Sequence, residues 1–569
     1  MSLLRSHVVF NSLTLFMPDS YDYIIVGGGL TGCALAGRLA EKDKSLQILI
    51  IEAGPNVVDH PLTSTPLACF GAHHSPLDWD YTTVPQKHLN NRECYNAAGK
   101  ALGGGTAINY GTWTRGNAAD YNLWAKLVGD SSWSYEGLLP YFKRVETHYD
   151  PNVDTTIHGT SGPITNTIVA LTSPERKYPL KEPVRSAWER IGVKFNPDAN
   201  AGSPLGLAHF GENWREGQRQ LASEAYGLSR RQGISIVTDT LVAKVIFKEQ
   251  DAQQVAAGVQ LVEGEEYHAR REVIISAGTY RTPQLLMLSG IGPAEELAKH
   301  SIPQLVNSPE VGRNFHDHMC FPQWWKLRHP EQGLSMGTPL WNSPAYGMGV
   351  PYDWNVTLQT PAEELIKAFQ ADDGQIPPND HPYLDTGFAH SEVLVIYAPM
   401  SRAVTGFETA MDGTHISTAV LLMAPTARGQ VTLADADPAS SPLIDPNYCS
   451  KEVDRAILRD GIRRVARLVL DTPEGQDMVE HEVARLGNEP MRLDSTDEEI
   501  DKNIRNGAIT FFHPGGSASM GKVVDTQLRV KGVKGLRVAD ASVLPVPLAA
   551  HYQAVLYAVA EKAADLLLY

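Results

Sequence analysis

The stretch that decides the fold is Tyr23-Ile24-Ile25-Val26-Gly27-Gly28-Gly29-Leu30-Thr31-Gly32. Its apolar half is typical of a buried strand, its glycine-rich half is typical of a tight turn, and residues 33–40 are typical of a helix. A second apolar run, residues 48–51, ends at the acidic residue Glu52. Strand, glycine turn, helix, strand and terminal acid in this order predict a βαβ unit that binds a dinucleotide.

Each glycine of the turn has a physical role in the predicted unit. Gly27 permits the tight turn, Gly29 lets the backbone approach a pyrophosphate, and Gly32 lets helix and strand pack closely. The turn and the helix N-terminus, which include Leu30 and Thr31, offer unpaired N–H groups and a partial positive charge to phosphates. We therefore predict that these five residues belong to the dinucleotide site.

Glu52 lies twenty residues beyond Gly32, at the tip of the second predicted strand. A carboxylate at this point can accept hydrogen bonds from both ribose hydroxyls of an adenosine. The same carboxylate would repel a 2′-phosphate, so the sequence disfavours NADP as the dinucleotide.

Length and charge limit the classes of protein that the chain can belong to. Its 569 residues are too many for one hydrophobic core, so we expect at least two domains. The 65 acidic and 49 basic residues give a net charge of −16, which argues against nucleic acid or an anionic membrane as the main partner. No apolar run in the sequence approaches the ~20 residues that a membrane-spanning helix needs.

Cysteine usage and the N-terminal residues bear on the compartment. The five cysteines are scattered and show no CxxC spacing, so they indicate neither a zinc site nor a disulfide framework. Residues 1–19 are expected to form a weakly ordered extension, because polar residues interrupt their apolar patch and no small-residue cleavage site follows. These features favour a cytoplasmic protein.

A second glycine-rich stretch, Gly103-Gly104-Gly105, precedes an apolar, helix-like segment that contains Trp124 and Leu127. Three consecutive glycines cannot pack a core, but they permit positive φ and a close approach of the backbone to a ligand. A flexible surface loop is the simpler interpretation, but the ordered segment that follows the glycines favours a binding site.

These motifs resemble the glucose-methanol-choline family of flavin oxidoreductases. Residues 99–122 fit the first signature of that family, and residues 278–292 fit the second over its full length. Further landmarks of the family lie at residues 311–318, 427–429 and 513–567. The resemblance spans nearly the whole chain, apart from the first twenty residues and parts of residues 320–420.

The resemblance implies an α/β fold with a discontinuous Rossmann-like FAD-binding domain and an α+β substrate domain built on an antiparallel sheet. We expect the FAD-binding domain to comprise residues 20–158, 215–317 and 505–569, and the substrate domain to comprise residues 159–214 and 318–504. Apolar patterns predict strands at residues 234–237, 241–247 and 272–278 and an amphipathic helix at residues 454–470.

The resemblance also implies which further residues contact FAD. Val242 is expected to place its amide against the adenine, and Asp540 and Ala541 to face the ribityl chain and the pyrophosphate. Asp540 has a second interpretation, because an aspartate after a strand commonly caps a turn. The remaining implied contacts are Gly105, Thr106, Asn109, Tyr110, Gly111, Thr112 and Tyr552.

Four positions depart from the family pattern. Ala98 stands where an arginine is common, and Gly105-Thr106 stands where two serines are usual, so that Thr106 keeps one hydroxyl near the pyrophosphate. Ile108 occupies the position from which a histidine binds flavin covalently in some members. Because isoleucine carries no nucleophile, we predict that FAD is bound non-covalently.

Two histidines match the catalytic pair of the family. His513 lies between two phenylalanines and a proline, which predicts a held, partly desolvated imidazole that stays neutral and basic near pH 7. His551 lies at the start of the predicted last helix, whose positive end is expected to disfavour an imidazolium. The sequence does not decide which of the two is the base; we favour His513.

Four other histidines are interpreted as structural: His73, His74, His316 and His318. Although His316 and His318 are separated by a single aspartate, no third ligand is suggested nearby, so no metal site is predicted.

The resemblance implies that the protein oxidises a small organic alcohol, such as an aryl or metabolite alcohol. A histidine would take the hydroxyl proton while hydride passes to flavin N5, and dioxygen or another acceptor would receive the electrons. Two alternatives remain open, a non-redox lyase like the hydroxynitrile lyases of this family with structural FAD, and a light-driven flavin decarboxylase. The substrate, the acceptor and the oligomeric state are left open by the sequence.

Overall fold

Two seven-stranded sheets form the framework of the computed structural model, which describes residues 20–568. The predicted N-terminal extension, residues 1–19, lies outside the described residues. The longer helices are Leu30–Lys42, Ala118–Val128, Tyr135–Val145, Lys181–Arg190, Gly278–Leu288, Ala294–Lys299, Ala362–Asp373, Glu452–Leu470, Pro473–Met478, Asp497–Gly507 and Gln553–Leu568.

The first sheet is parallel at its centre. Every residue of Ile48–Ile51 is buried, as a parallel strand requires when helices cover both faces of the sheet. Ile25 lies opposite Ile50 on one side and Ile274 on the other, which confirms the strands predicted from the apolar runs. The parallel strands are, in spatial order, Ile234–Val237, Ile48–Ile51, Ser20–Val26, Glu266–Ile275 and Leu536–Val538, and Gln253–Leu261 and Val242–Gln250 extend the sheet in antiparallel fashion.

The glycine turn is as tight as the sequence predicts. The predicted helix spans Leu30–Lys42 and begins directly after Gly29, whose backbone is extended. Gly27 has φ +100°, and a Cβ there would lie 2.3 Å from the carbonyl oxygen of Ser276. A Cβ on Gly32 would lie 2.2 Å from the carbonyl oxygen of Gly27. Both glycines are therefore required by the close packing of strand and helix.

The second sheet is antiparallel, as the substrate domain of the resembled family is expected to be. Its strands are, in spatial order, Val479–Glu482, Met319–Leu327, His415–Leu422, Ser391–Ile396, Trp354–Leu358 and Gly206–His209, and Ile509–Thr510 also pairs with Met319–Leu327. Helix Glu452–Leu470 approaches this sheet closely, because a Cβ on Gly461 would lie 2.4 Å from the side chain of Val420. The predicted fold class is confirmed.

The domain boundaries stay a prediction. Ile509–Thr510 fall in a segment assigned to the FAD-binding domain, but they pair with the second sheet. This strand carries the chain from the second sheet directly to His513. None of the helices between residues 20 and 568 is long and apolar enough to cross a membrane.

Candidate active site

Both glycine-rich turns and both predicted catalytic histidines line a single cavity of about 350 Å³. This volume lies within the range of small-molecule binding sites. Of the residues predicted to contact FAD or to act in catalysis, Gly32 and Thr106 do not line the cavity. Those that do are Gly27, Gly29, Leu30, Thr31, Glu52, Gly105, Asn109, Tyr110, Gly111, Thr112, Val242, His513, Asp540, Ala541, His551 and Tyr552.

The wall formed by the two glycine turns fits a dinucleotide. A Cβ on Gly104 would lie 2.7 Å from the Cα of Gly29, so the two turns touch through bare backbone. A Cβ on Gly105 would meet no atom within 4 Å, because this residue faces the cavity. No side chain caps the helix that begins after Gly29, and its first turn holds no acid. An anionic pyrophosphate is the group that such a helix N-terminus binds well.

Thr106 is placed differently from the expectation. Its hydroxyl donates to the carbonyl of Gly103 at 2.7 Å and accepts from the backbone N–H of Ala222 at 3.1 Å. The side chain is buried behind the turn, so Thr106 stabilises the shape of the glycine turn instead of offering its hydroxyl to a phosphate.

Glu52 has a structural role beside its predicted contact with ribose. One carboxylate oxygen accepts from the N–H of Gly28 at 2.8 Å, and the other accepts from the N–H of Gly54 at 2.9 Å. Burial raises the pKa of this carboxyl group to about 7. Each carboxylate oxygen accepts a hydrogen bond from the turn and has a second lone pair for a ligand.

We expect Glu52→Ala to weaken FAD binding about ten-fold or more, because charge-assisted hydrogen bonds to ribose are lost. The apoprotein should also lose about 1–3 kcal/mol for each buried N–H that is left without an acceptor. Titration with FAD and urea unfolding of the apoprotein measure the two effects separately.

The pH dependence of the unfolding free energy provides the control for Glu52. Because the pKa is raised to about 7 in the folded state, wild-type apoprotein should lose stability as pH rises from about 4.5 through 7. Glu52→Ala should lack this contribution. Unchanged FAD affinity in the variant would contradict the assignment of the βαβ unit.

The carboxylate of Asp540 is engaged by protein donors. It accepts from the N–H of Gly278 at 2.9 Å, the hydroxyl of Thr282 at 2.6 Å, and the N–H and hydroxyl of Ser542 at 2.8 and 2.5 Å. Asp540 therefore caps a turn, and because it also lines the cavity, the favoured contact with FAD stays a prediction. It ties the cavity wall to the start of helix Gly278–Leu288, and burial raises its pKa.

The backbone of His513 is fixed by a hydrogen bond and by the conformation of the preceding residue. Its N–H donates to Asp317 at 2.9 Å, and the preceding residue, Phe512, has φ +62°, which is unusual for an aromatic residue. Such strain persists only where the surroundings enforce it, and it commonly marks a functional site. Burial, with smaller contributions from His551 and His318, holds the pKa of His513 well below its usual range. This direction agrees with the neutral imidazole that the sequence predicts, which stays a prediction.

His318 positions the ring of His513, a role that the sequence pattern did not indicate. The Nδ1 atoms of the two histidines lie 3.0 Å apart, so they share one hydrogen bond and Nε2 of His513 is the nitrogen available to a bound molecule. Burial lowers the pKa of His318 to about 3, so this ring is also neutral.

Glu392 is a site residue that sequence reasoning missed. It lies on strand Ser391–Ile396 of the second sheet and contacts Nε2 of His551 at 2.7 Å, while its other oxygen accepts from Asn355 at 3.1 Å. Because Glu392 holds Nε2, Nδ1 is the ring nitrogen of His551 that is left for the cavity. The signal in the sequence was that Glu392 is the single acidic residue in a largely apolar strand.

The other histidines have separate positions. His316 packs against Gly515, where a Cβ would lie 2.6 Å from the ring, and His74 pairs with Asp80 at the surface. His73 lines the cavity. Among residues 20–568, no cluster of three or more His, Cys, Asp or Glu side chains could hold a metal ion.

Aromatic side chains surround the two histidines. The ring of Phe511 lies 5.6 Å from that of His513 and 5.7 Å from that of His551, and Tyr110, Tyr352 and Phe512 line the same cavity. Histidines aside, the charged residues lining the cavity in the described part of the chain are Glu52, Arg281 and Asp540. All three hydrogen-bond to neutral protein groups, such as the N–H of Gly28 for Glu52 and the hydroxyl of Tyr81 for Arg281.

Fold and site together define a protein in which a Rossmann-like dinucleotide site and a histidine pair share one cavity. Models of the GMC oxidoreductase family match residues 21–320 and 425–560. The chain belongs to this family of FAD-binding oxidoreductases, which take electrons from an alcohol-type substrate and pass them to an acceptor.

Individual relatives span nearly the whole chain. The GMC-type oxidoreductase acuG of Aspergillus aculeatus is 44% identical over 97% of this chain and 100% of its own length. An alcohol dehydrogenase (acceptor) of Pseudomonas putida is 30% identical over 96% and 95%. The structure of an Aspergillus oryzae formate oxidase superposes with a TM-score of 0.84 at 31% identity, covering 96% of this chain and 98% of that one. Since these names differ in substrate, family membership leaves the substrate open.

Proposed function

We propose that the protein oxidises the CH–OH group of a small organic alcohol with the help of FAD. The observation that carries the proposal is the pair His513 and His551, whose rings lie 4.6 Å apart on the wall of the cavity that the glycine turns also line. Two such imidazoles can manage the proton of a substrate hydroxyl while hydride leaves the carbinol carbon.

Each histidine has a role that follows from its partner. FAD, when bound, supplies the acceptor for the substrate hydride. His513 takes the hydroxyl proton at Nε2, since its Nδ1 faces His318. His551, which Glu392 contacts at Nε2, hydrogen-bonds the substrate oxygen as that oxygen becomes negative.

The cavity wall supports a small aromatic alcohol as substrate. Phe511, Phe512, Tyr110 and Tyr352 offer apolar and aromatic surface to a bound molecule.

Anaerobic mixing with benzylic, aliphatic and sugar alcohols tests the proposal. An oxidoreductase bleaches the yellow flavin absorbance in the absence of any other acceptor, and benzylic alcohols should do so at the lowest concentrations. Cleavage of a hydroxynitrile without bleaching would favour the lyase, and decarboxylation that requires light would favour the photoenzyme.

We further propose that FAD is held without a covalent bond, because Ile108 lines the cavity with a side chain that carries no nucleophile. Acid precipitation of the yellow protein should release all of the colour into the supernatant. Colour retained in the pellet after proteolysis and washing would contradict this prediction.

A further inference from the structure

A hydrogen-bonded chain leads from a buried carboxylate to the cavity. The hydroxyl of Tyr95 contacts Oδ2 of Asp78, and Nδ1 of His73 lies 2.9 Å from the hydroxyl of Tyr95. Nε2 of His73 in turn contacts the hydroxyl of Tyr110. His73 and Tyr110 line the cavity together with His513. We refer to these four residues, Asp78, Tyr95, His73 and Tyr110, as the tyrosine–histidine chain.

The direction of every hydrogen bond in the chain is set by Asp78. Its carboxylate accepts from the backbone N–H of Asp80 and Ala98, both at 3.0 Å, and from that of His74 at 3.1 Å. Since these donors make Asp78 an acceptor, the Tyr95 hydroxyl donates to it and accepts from Nδ1–H of His73.

Because His73 is neutral, the direction of its hydrogen bond to Tyr110 at the cavity is also fixed. Burial lowers the pKa of His73 to about 4, so the ring holds one proton, which lies on Nδ1. Nε2 is then an acceptor and must receive the proton of the Tyr110 hydroxyl. The Tyr110 oxygen is left with lone pairs only, and so it can accept a hydrogen bond in the cavity but cannot donate one.

The chain lies close to the catalytic pair. The ring of Phe512, the residue before His513, lies 5.5 Å from that of His73 and 5.9 Å from that of Tyr95. Phe70 lies 5.5 Å from Tyr110 on the other side. These aromatic contacts restrict the rotation of the three polar rings, so the hydrogen bonds keep one arrangement.

We propose that the Tyr110 hydroxyl is an acceptor-only subsite that selects alcohols with a second hydrogen-bond donor, such as a phenolic hydroxyl. This inference rests on the proposed function, because it names the substrate class of the same cavity. A hydroxylated benzylic alcohol satisfies the Tyr110 oxygen, whereas its methyl ether brings a second acceptor against it.

Matched substrates test the subsite. The three positional isomers of hydroxybenzyl alcohol are compared with the corresponding methoxybenzyl alcohols, whose substituents have similar electronic effects on the benzylic carbon. For at least one position, kcat/KM of the wild-type holoenzyme should favour the hydroxyl by roughly ten-fold or more. Equal values at all three positions would overturn the proposal.

Two variants distinguish an effect of hydrogen-bond direction from a simple effect of packing. Tyr110→Phe should abolish the preference. Tyr95→Phe leaves Nδ1–H of His73 without its acceptor, so the ring proton moves to Nε2 and donates to Tyr110, whose own O–H turns to the cavity. The preference should then reverse toward the methoxy compound, which loss of packing alone would not produce. A preference that persists in both variants would overturn the proposal.

A binding readout distinguishes failure of the subsite from failure of the proposed function. Phenol and anisole lack a CH–OH group, and their affinities are measured from changes in the flavin spectrum, with FAD content determined in each variant. If the wild-type protein binds phenol more tightly than anisole and Tyr110→Phe removes this preference, the subsite is supported even if no alcohol bleaches the flavin. Bleaching without any such preference supports the proposed function and overturns the subsite.

Discussion

His513→Ala should slow anaerobic bleaching of the flavin by an alcohol between about 10²- and 10⁴-fold, the range typical for loss of a general base. The imidazole is buried, its Nδ1 is hydrogen-bonded to His318, and its removal takes away the group that is placed to accept the hydroxyl proton. FAD binding should persist, because the hydrogen bonds that hold the first glycine turn come from Glu52 and not from His513. Stopped-flow absorbance measures the rate, and the visible spectrum measures occupancy.

Two further variants make this result specific. His551→Ala should slow bleaching less, because it removes stabilisation of the substrate oxygen but leaves the base. His481→Ala, a change to an exposed histidine on an edge strand of the second sheet, should leave the rate unchanged. Bleaching at a near-normal rate in both site variants would remove the basis for the proposed chemistry and favour the lyase.

Gly32→Ala should abolish retention of FAD and destabilise the protein by roughly 3 kcal/mol, the upper part of the range for overpacking. A methyl group there would lie 2.2 Å from the carbonyl oxygen of Gly27 and 3.2 Å from the side chain of Ile25. The first contact is with backbone, so no rotamer change relieves it, and the glycine turn must open. Urea unfolding of the apoprotein and FAD content after gel filtration are the measurements.

Gly105→Ala is the matched control. The same added methyl group meets no protein atom within 4 Å and stands in the cavity. The apoprotein should therefore unfold at the same urea concentration as wild type or slightly higher, while FAD binds more weakly. If Gly32→Ala retained FAD with wild-type affinity, the first glycine turn would not be the dinucleotide site.

The local sequence predicted those parts of the molecule that depend on neighbouring residues. Apolar runs and glycines determine where strand 20–26 ends, why helix Leu30–Lys42 follows, and why Gly27 and Gly32 admit no side chain. The amphipathic period of residues 454–470 likewise predicted helix Glu452–Leu470 to within two residues. These features follow from backbone sterics and burial, which act over a few residues.

The partners of the site residues were decided by the tertiary structure alone. His318 meets His513 across 195 positions, and Glu392 meets His551 across 159 positions. The commitment of the Thr106 hydroxyl to Ala222 and the direction of hydrogen bonding from Asp78 to Tyr110 are equally non-local. Such contacts depend on how the two sheets pack, and residue spacing carries no information about packing. The sequence by itself determined the dinucleotide unit and the two candidate histidines, whereas the tertiary structure decided which groups hold their rings, because those partners are distant in the chain.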